Sequence, residues 1–299
     1  MRNVSLVIIG QGPAGLSAAI YTARAGIGTL VLGCAPKIAG DYDIDNYFGF
    51  AETISGMELI QRGIRQAERF GAEVRNERVL SIHAVAEGRF HVRTEQEEYE
   101  TCAVILATGV SRVRPGIDNL QDYEGKGVSY CVSCDGFFVR QKKVMVLGEG
   151  NFAANQALEL LHYTPFVRIC TQGKTLDMAQ EFQDKLLRSG ITIVQDKILS
   201  LGGSDGLATV HYAGGEQEEV DGLFIAMGQA SSSDFAASLG LVKRKQFIAV
   251  NEQQQTNIPG IYAAGDCVGR FLQISVAVGE GALAARSAIE YVKKECAKE

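Results

Sequence analysis

A second C-x-x-C motif is missing from this chain of 299 residues, and its four histidines, His83, His91, His162 and His211, are scattered. A structural zinc site needs about four clustered ligands, so no metal centre is expected around the one C-x-x-C present. Long basic runs are missing too. Together with a formal net charge of −6 at pH 7, that argues against a nucleic-acid binder. No apolar stretch approaches about 18 residues, so no membrane-spanning helix is expected. The chain starts with a short apolar strand running into a glycine turn, without the longer apolar region and cleavage site of a secretory signal. Seven cysteines, an odd number at irregular spacing, do not make a disulfide framework. A reducing cytoplasm fits these absences best.

What is present is enough for about two domains. Apolar residues make up 46% of the chain and charged residues 21%, so both domains can bury a full core. Residues 4–9 are an apolar, β-branched run, the pattern of a buried parallel strand. Gly10-Gln11-Gly12-Pro13-Ala14-Gly15 follows, and residues 16–25 have helical periodicity. A G-x-G-x-x-G turn between strand and helix lets the backbone approach a pyrophosphate, and the helix N-terminus adds positive potential. An ordinary tight turn is the plain alternative. At the end of the next strand, residues 29–32, an acid usually grips a ribose, yet Gly33 and Cys34 stand there. The ribose must be held some other way.

Asp45-Asn46-Tyr47-Phe48-Gly49-Phe50 reads either as a wall beside a ring or as a loop capping the core. Residues 56–70 read as an amphipathic helix, and 79–85 with 89–93 as hairpin strands. Val104-Ile105-Leu106-Ala107-Thr108-Gly109 is a strand ending in a small-residue turn. Residues 143–147 form a second buried strand, running into Gly148-Glu149-Gly150-Asn151-Phe152-Ala153 and a helix. The chain thus holds two copies of one module, with a meander between Lys197 and Val220. Gly260-Ile261-Tyr262-Ala263-Ala264-Gly265-Asp266 delivers an aspartate to a turn, and a long helix spans Gln273 to Val292. Asp266 there can accept from a ribitol or ribose hydroxyl, or simply cap a helix. The long helix reads as opening near Gly279-Glu280-Gly281, and a helix N-terminus there can stabilise negative charge on a reduced flavin.

Between the two modules lies Cys131-Val132-Ser133-Cys134-Asp135. Two cysteines at this spacing can close a strained disulfide, and their surroundings can lower a thiol pKa to give a usable thiolate. Asp135 offers a proton donor to the leaving thiolate. Half a zinc site and an inert buried pair are the competing readings; the position between nucleotide-binding modules favours redox work. Cys34, Cys102, Cys170 and Cys296 have no partner at redox spacing and are expected to be dispensable.

In this order, the turn at 10–15, Ala107-Thr108-Gly109, the C-x-x-C-D at 131–135 and Gly265-Asp266 resemble the low-molecular-weight thioredoxin reductases. The resemblance implies an α/β fold of two Rossmann-like dinucleotide-binding domains (three-layer ββα), the second inserted in the first. The FAD-binding domain would comprise 1–115 and 246–299, and the NAD(P)H-like domain 116–245. It further implies a homodimer that reduces thioredoxin, with Cys134 facing the flavin, Cys131 attacking the substrate disulfide and Asp135 moving the proton. FAD would be held by Gly10, Gly12, Pro13, Ala14, Gly15, Gly33, Cys34, Asn46, Thr108, Gly109, Gly265, Asp266, Gln273, Ile274 and Ser275.

The second nucleotide site departs from that pattern. NADPH-dependent members carry a basic stretch whose arginines grip the 2′-phosphate. Here Thr171-Gln172-Gly173-Lys174-Thr175-Leu176-Asp177 stands in its place. Such a loss resembles the ferredoxin-dependent flavin thioredoxin reductases, so ferredoxin is the expected electron donor. An NAD(P)H-dependent reductase with a divergent site, a dithiol oxidase using oxygen and a non-enzymatic flavin protein are the alternatives. An acidic ferredoxin would need a local basic patch. Candidates are Lys126, Arg140, Lys142 and Lys143, or Lys243-Arg244-Lys245, each of which also reads as a plain solvated face.

Overall fold

The computed structural model describes residues 1–40, 43–85, 88–109, 115–130, 132–227, 232–245 and 247–296, with the backbone alone at Lys37, Ser133, Cys134, Ser232 and Ser233. The chain divides into two compact units. One is Met1–Ser111 joined with Ser231–Glu299, and the other is Arg112–Ala230.

In the first unit, parallel strands stand in the order Glu73–Asn76, Thr29–Gly33, Arg2–Ile9, Glu98–Leu106 and Ile261–Ala263. Leu6, Val7, Ile8 and Ile9 are buried, as expected of a strand covered on both faces. The strand Glu98–Leu106 divides its outer edge. Its first half pairs antiparallel with Phe90–Thr94, and Val104–Leu106 pair parallel with Ile261–Ala263. This is how the C-terminal part of the chain enters the N-terminal sheet.

The helices Pro13–Arg24 and Ile274–Tyr291 pack through small side chains. Ala14, Ala18 and Ala19 share one buried cluster with Ala277, Ala284, Ala285 and Ala288. At the crossing, a Cβ on Gly281 would sit 2.1 Å from the Ala14 carbonyl oxygen, so only glycine fits. Ser17 Oγ donates to Val278 O at 2.8 Å. Contact this close brings the opening turn of the last helix beside the helix that follows the first glycine turn.

The fold also joins two cysteines that the sequence reading left unpaired. Cys102, in the strand Glu98–Leu106, and Cys296, beyond the last helix, form a disulfide across a sequence separation of 194, with Cα atoms 6.3 Å apart. Cys102 belongs to the core cluster that also holds Val292, and Cys296 packs against it. Their spacing in sequence says nothing of this, because the pairing depends on where the last helix ends over the sheet.

The second unit repeats the plan. Its parallel strands run Thr192–Val194, Val167–Cys170, Val144–Leu147, Gly222–Ile225 and Val128–Ser129. An antiparallel meander, Ile198–Gly202, Thr209–Tyr212 and Gln217–Glu219, covers the face carrying Met145, Leu147 and Cys170. The chain is therefore an α/β protein of two Rossmann-like units. It returns to the first unit at Ser231 rather than near 246. Helix Ser232–Ser238 buries Phe235 and Ala236, and the Phe247 ring lies against Gly269. These contacts tie residues 232–248 to the first unit.

Candidate active site

At the first glycine turn the glycines serve two different needs. Gly10 (φ 119°) and Gly15 allow strand, turn and helix to touch: a Cβ would lie 2.1 Å from Ala107 O at Gly10, and 1.9 Å from Gly10 O at Gly15. Gly12 is different, since a Cβ there would meet nothing nearer than Pro36 Cβ at 3.9 Å. Its face of the turn is open. Helix Pro13–Arg24 starts from Gly12 with Pro13 in its first turn, no side-chain cap and no acid. Its first N–H groups are thus left for an anion. Beside the turn, Thr108 Oγ1 is buried without a hydrogen-bond partner among the described residues. An open glycine face, uncapped helix donors and an orphan hydroxyl fit the phosphates of a dinucleotide such as FAD.

The ribose end is built unusually. Gln11, buried in the turn, donates through Nε2 to Gly33 O (2.8 Å) and Arg75 O (2.7 Å). Its side chain lies over Gly33, where a Cβ would be 3.5 Å from Gln11 Cγ. Cys34 is half-buried beyond the strand end. Gln11 thus occupies the neighbourhood of the missing acid, a role its place inside the glycine motif disguised.

Asp266 opens the short turn after Gly265 (φ 81°) and is half-buried; burial raises its carboxyl above the ordinary range. The sequence reading missed what holds this turn. Glu280, buried in the last helix, accepts from Gly265 N at 2.7 Å through Oε2. Its Oε1 lies 3.5 Å from Arg270 Nε, an ion-pair distance without a hydrogen bond. Burial also raises the Glu280 carboxyl. Read from sequence, this helix opens near Gly279-Glu280-Gly281; it opens at Ile274 instead, which sets Glu280 inside it. Gln273 precedes the helix without capping it, and accepts from Asn46 Nδ2 at 3.0 Å through Oε1. The N–H groups of Ile274 and Ser275 are therefore not engaged by a side-chain cap. Phe48 is 97% exposed, so it does not cap the core.

Of the dithiol, Cys131 lies outside the described residues. Cys134 belongs to the single helical turn Val132–Asp135. The Asp135 carboxylate is anchored by Ser129, whose hydroxyl donates to Oδ2 at 2.6 Å. That serine, two residues before the pair, is a second member the sequence reading missed. Cys170 and Cys267 are buried thiols, pushed up by that burial to about 11 and about 12, and so poor nucleophiles at neutral pH. Among the described residues no His, Cys, Asp or Glu group could hold a metal ion, and no helix is long and apolar enough to cross a membrane.

The second glycine turn keeps its shape but is stitched to its own chain. A Cβ on Gly148 would lie 2.2 Å from Ala226 O, the same close approach as in the first unit. Here, however, Asp177 N donates to Glu149 O at 2.9 Å, and Gly150 pairs with Asp177 in a parallel bridge. Ala179 N donates to Asn151 Oδ1 at 2.7 Å. Lys174 Nζ pairs with Glu149 Oε1 at 2.5 Å. The Gln172 amide is spent inward on Pro115 O and on both the N–H and carbonyl of Ile198. The segment that would recognise a nucleotide's ribose instead bonds to the turn that would hold its pyrophosphate.

The family model "Pyridine nucleotide-disulphide oxidoreductase" matches residues 4–281. A thioredoxin reductase of Bacillus subtilis (strain 168) is 33% identical over 303 aligned positions, covering 97% of this chain and 95% of the relative. Among solved structures, the atypical thioredoxin reductase TRi from Desulfovibrio vulgaris Hildenborough is 64% identical, with a TM-score of 0.96 over 99% of both chains. A ferredoxin-flavin thioredoxin reductase from Clostridium acetobutylicum is 29% identical, with a TM-score of 0.74 over 98% of this chain and 99% of that one.

Proposed function

The chain belongs to the pyridine nucleotide-disulphide oxidoreductases, among the low-molecular-weight thioredoxin reductases, and from that premise we propose that it is an FAD-dependent thioredoxin-disulfide reductase fed by reduced ferredoxin. When bound, FAD would supply the chemistry that matches a one-electron donor to a two-electron disulfide. The turn at 10–15 and the first N–H groups of helix Pro13–Arg24 would hold its pyrophosphate. Asp266, positioned through Gly265 by Glu280, would accept from its sugar hydroxyls, and the uncapped opening of the last helix would stabilise negative charge on its ring. Cys131 attacks the thioredoxin disulfide, forming one S–S bond as another breaks. Cys134 then attacks Cys131, which releases the thioredoxin dithiol and closes the Cys131–Cys134 disulfide. Asp135, held by Ser129, moves the proton. A homodimer completes the reading, as the family resemblance implies.

The observation that carries the choice of donor is the stitched second glycine turn. NADPH would have to break the 149–177 pairing to reach it. It would also find Gln172, Gly173 and Asp177 where arginines are wanted. Charge-assisted bonds to a phosphate contribute roughly 1.5–3 kcal/mol each. Losing two of them weakens NADPH at least about a hundredfold. NADH avoids that loss but meets Cys170 and Thr171, not an acid, at the strand end. The test is anaerobic stopped-flow absorbance of the flavin with each donor in turn. Reduced ferredoxin should bleach it, and neither nucleotide should do so within seconds at millimolar concentration. Fast bleaching by NADPH with ferredoxin inert would overturn the donor assignment.

A further inference from the structure

Six side chains of the first unit lie on segments that adjoin the residues assigned to the flavin. Gln273 follows directly on Arg270, Phe271 and Leu272 in the chain, and Asp266 precedes them. Phe271 is 74% exposed and Leu272 45%. The Asn46–Gln273 hydrogen bond draws the loop bearing Phe48 to the same place. On the other side, the Phe247 ring lies against Gly269, where a Cβ would be 2.2 Å from Cγ. That contact fixes the antiparallel pair Lys243–Arg244 and Phe247–Ile248 next to Arg270. Lys243 and Arg244 are exposed and meet no acidic side chain among the described residues. Of the two acids on the Phe48 loop, Asp45 accepts the Thr53 hydroxyl and Glu52 is exposed.

The other basic cluster named from sequence is differently placed. Lys143 pairs with Glu219 at 2.8 Å, and its N–H donates to Asp221. Arg140 stacks over the Phe137 ring at 4.7 Å.

We propose that Lys243, Arg244 and Lys245, with Phe271, Leu272 and Phe48, form the docking surface of the electron donor, a small acidic protein that carries one electron at a time. This rests on the donor assignment above and adds where that donor sits. Three cations on a chain of net charge −6 make a local positive field able to steer an acidic partner against the overall repulsion. Exposed aromatics on the adjoining segments give the encounter an apolar contact once the charges have oriented it. Two docking events supply the two electrons for each disulfide. Two reduced carriers are each oxidised by one electron, and one disulfide takes up that pair with two protons to become a dithiol.

The test uses the FAD-loaded enzyme, an acidic reduced ferredoxin and anaerobic stopped-flow. Lys243→Glu/Arg244→Glu should slow flavin bleaching about tenfold or more at low ionic strength. The deficit should shrink as salt shortens the Debye length. Phe271→Ser should slow bleaching several-fold with the salt dependence unchanged. Bleaching of the charge-reversal variant by dithionite should match wild type, as should its subsequent reduction of thioredoxin. A ferredoxin rate unaffected by both variants overturns the docking surface while leaving the donor assignment standing. A variant that changes the oligomeric state by light scattering, with the ferredoxin rate unaltered, marks the patch as an interface between copies and also overturns it. A wild-type flavin that ferredoxin cannot bleach overturns the donor assignment, and the surface with it.

Discussion

Removing the Cys102–Cys296 bond should cost the first unit a large part of its stability. A cross-link acts mainly on the unfolded chain, by forbidding conformations in which its ends are apart. For a separation of 194 residues, the chain-entropy relation gives about 5 kcal/mol, above the roughly 2–4 kcal/mol that disulfides usually deliver. The lower range is the better guide here. The alanine cluster between the first and last helices already holds the last helix in place, and a half-exposed Cys296 can fray locally. For a unit of this size, about 2–4 kcal/mol corresponds to a melting temperature roughly 5–15 °C lower. Cys296→Ala is the cleaner variant, because Cys102 is only 6% exposed and its truncation adds a packing loss. The assay is thermal unfolding of the FAD-loaded protein without reductant, paired with thiol titration in denaturant. Of seven cysteines, two are taken by this bond and two by an oxidised Cys131–Cys134 pair. Three should titrate: Cys34, Cys170 and Cys267. Five titrating thiols together with an unchanged melting temperature would refute the reasoning.

The dithiol makes a separate demand. Cys131→Ser should abolish thioredoxin reduction while leaving Cys134 able to react with the flavin, and Cys134→Ser should stop electron flow from flavin to disulfide. Turnover above a few per cent in either variant speaks against the mechanism. Cys34→Ala should leave turnover near wild type. Glu280→Ala strips the acceptor from a buried Gly265 N–H and should destabilise by about 1–3 kcal/mol. It should also weaken FAD binding to the apoprotein, measured by flavin fluorescence quenching. Glu280→Gln, which keeps an acceptor oxygen, should recover most of both; equal losses in the two variants would mean that the charge matters rather than the bond to Gly265.

Much of the architecture was legible because its signals are local. A parallel strand covered on both faces must be a continuous apolar run, so residues 4–9 and 143–147 announced themselves. Glycines that let a strand, a turn and a helix touch must recur at fixed spacing, so the turns at 10–15 and 148–153 did too. The loss of arginines at 171–177 was equally visible. That the same segment pairs with Glu149 and Gly150 was not, since a bond between backbones leaves no mark on residue type.

The tertiary structure alone decided the rest. Gly281 and Ala14 meet because the two chain ends enter one sheet, and that meeting carries Glu280 to Gly265 across 15 residues and a turn. Gln11 reaches Arg75 O only because the strand Glu73–Asn76 lies beside Thr29–Gly33. Cys102 finds Cys296 because an 18-residue helix happens to end over the strand that holds its partner. Composition and periodicity record which face of an element is buried. They do not record where its end arrives, because that is fixed by the lengths and crossings of all the elements packed together.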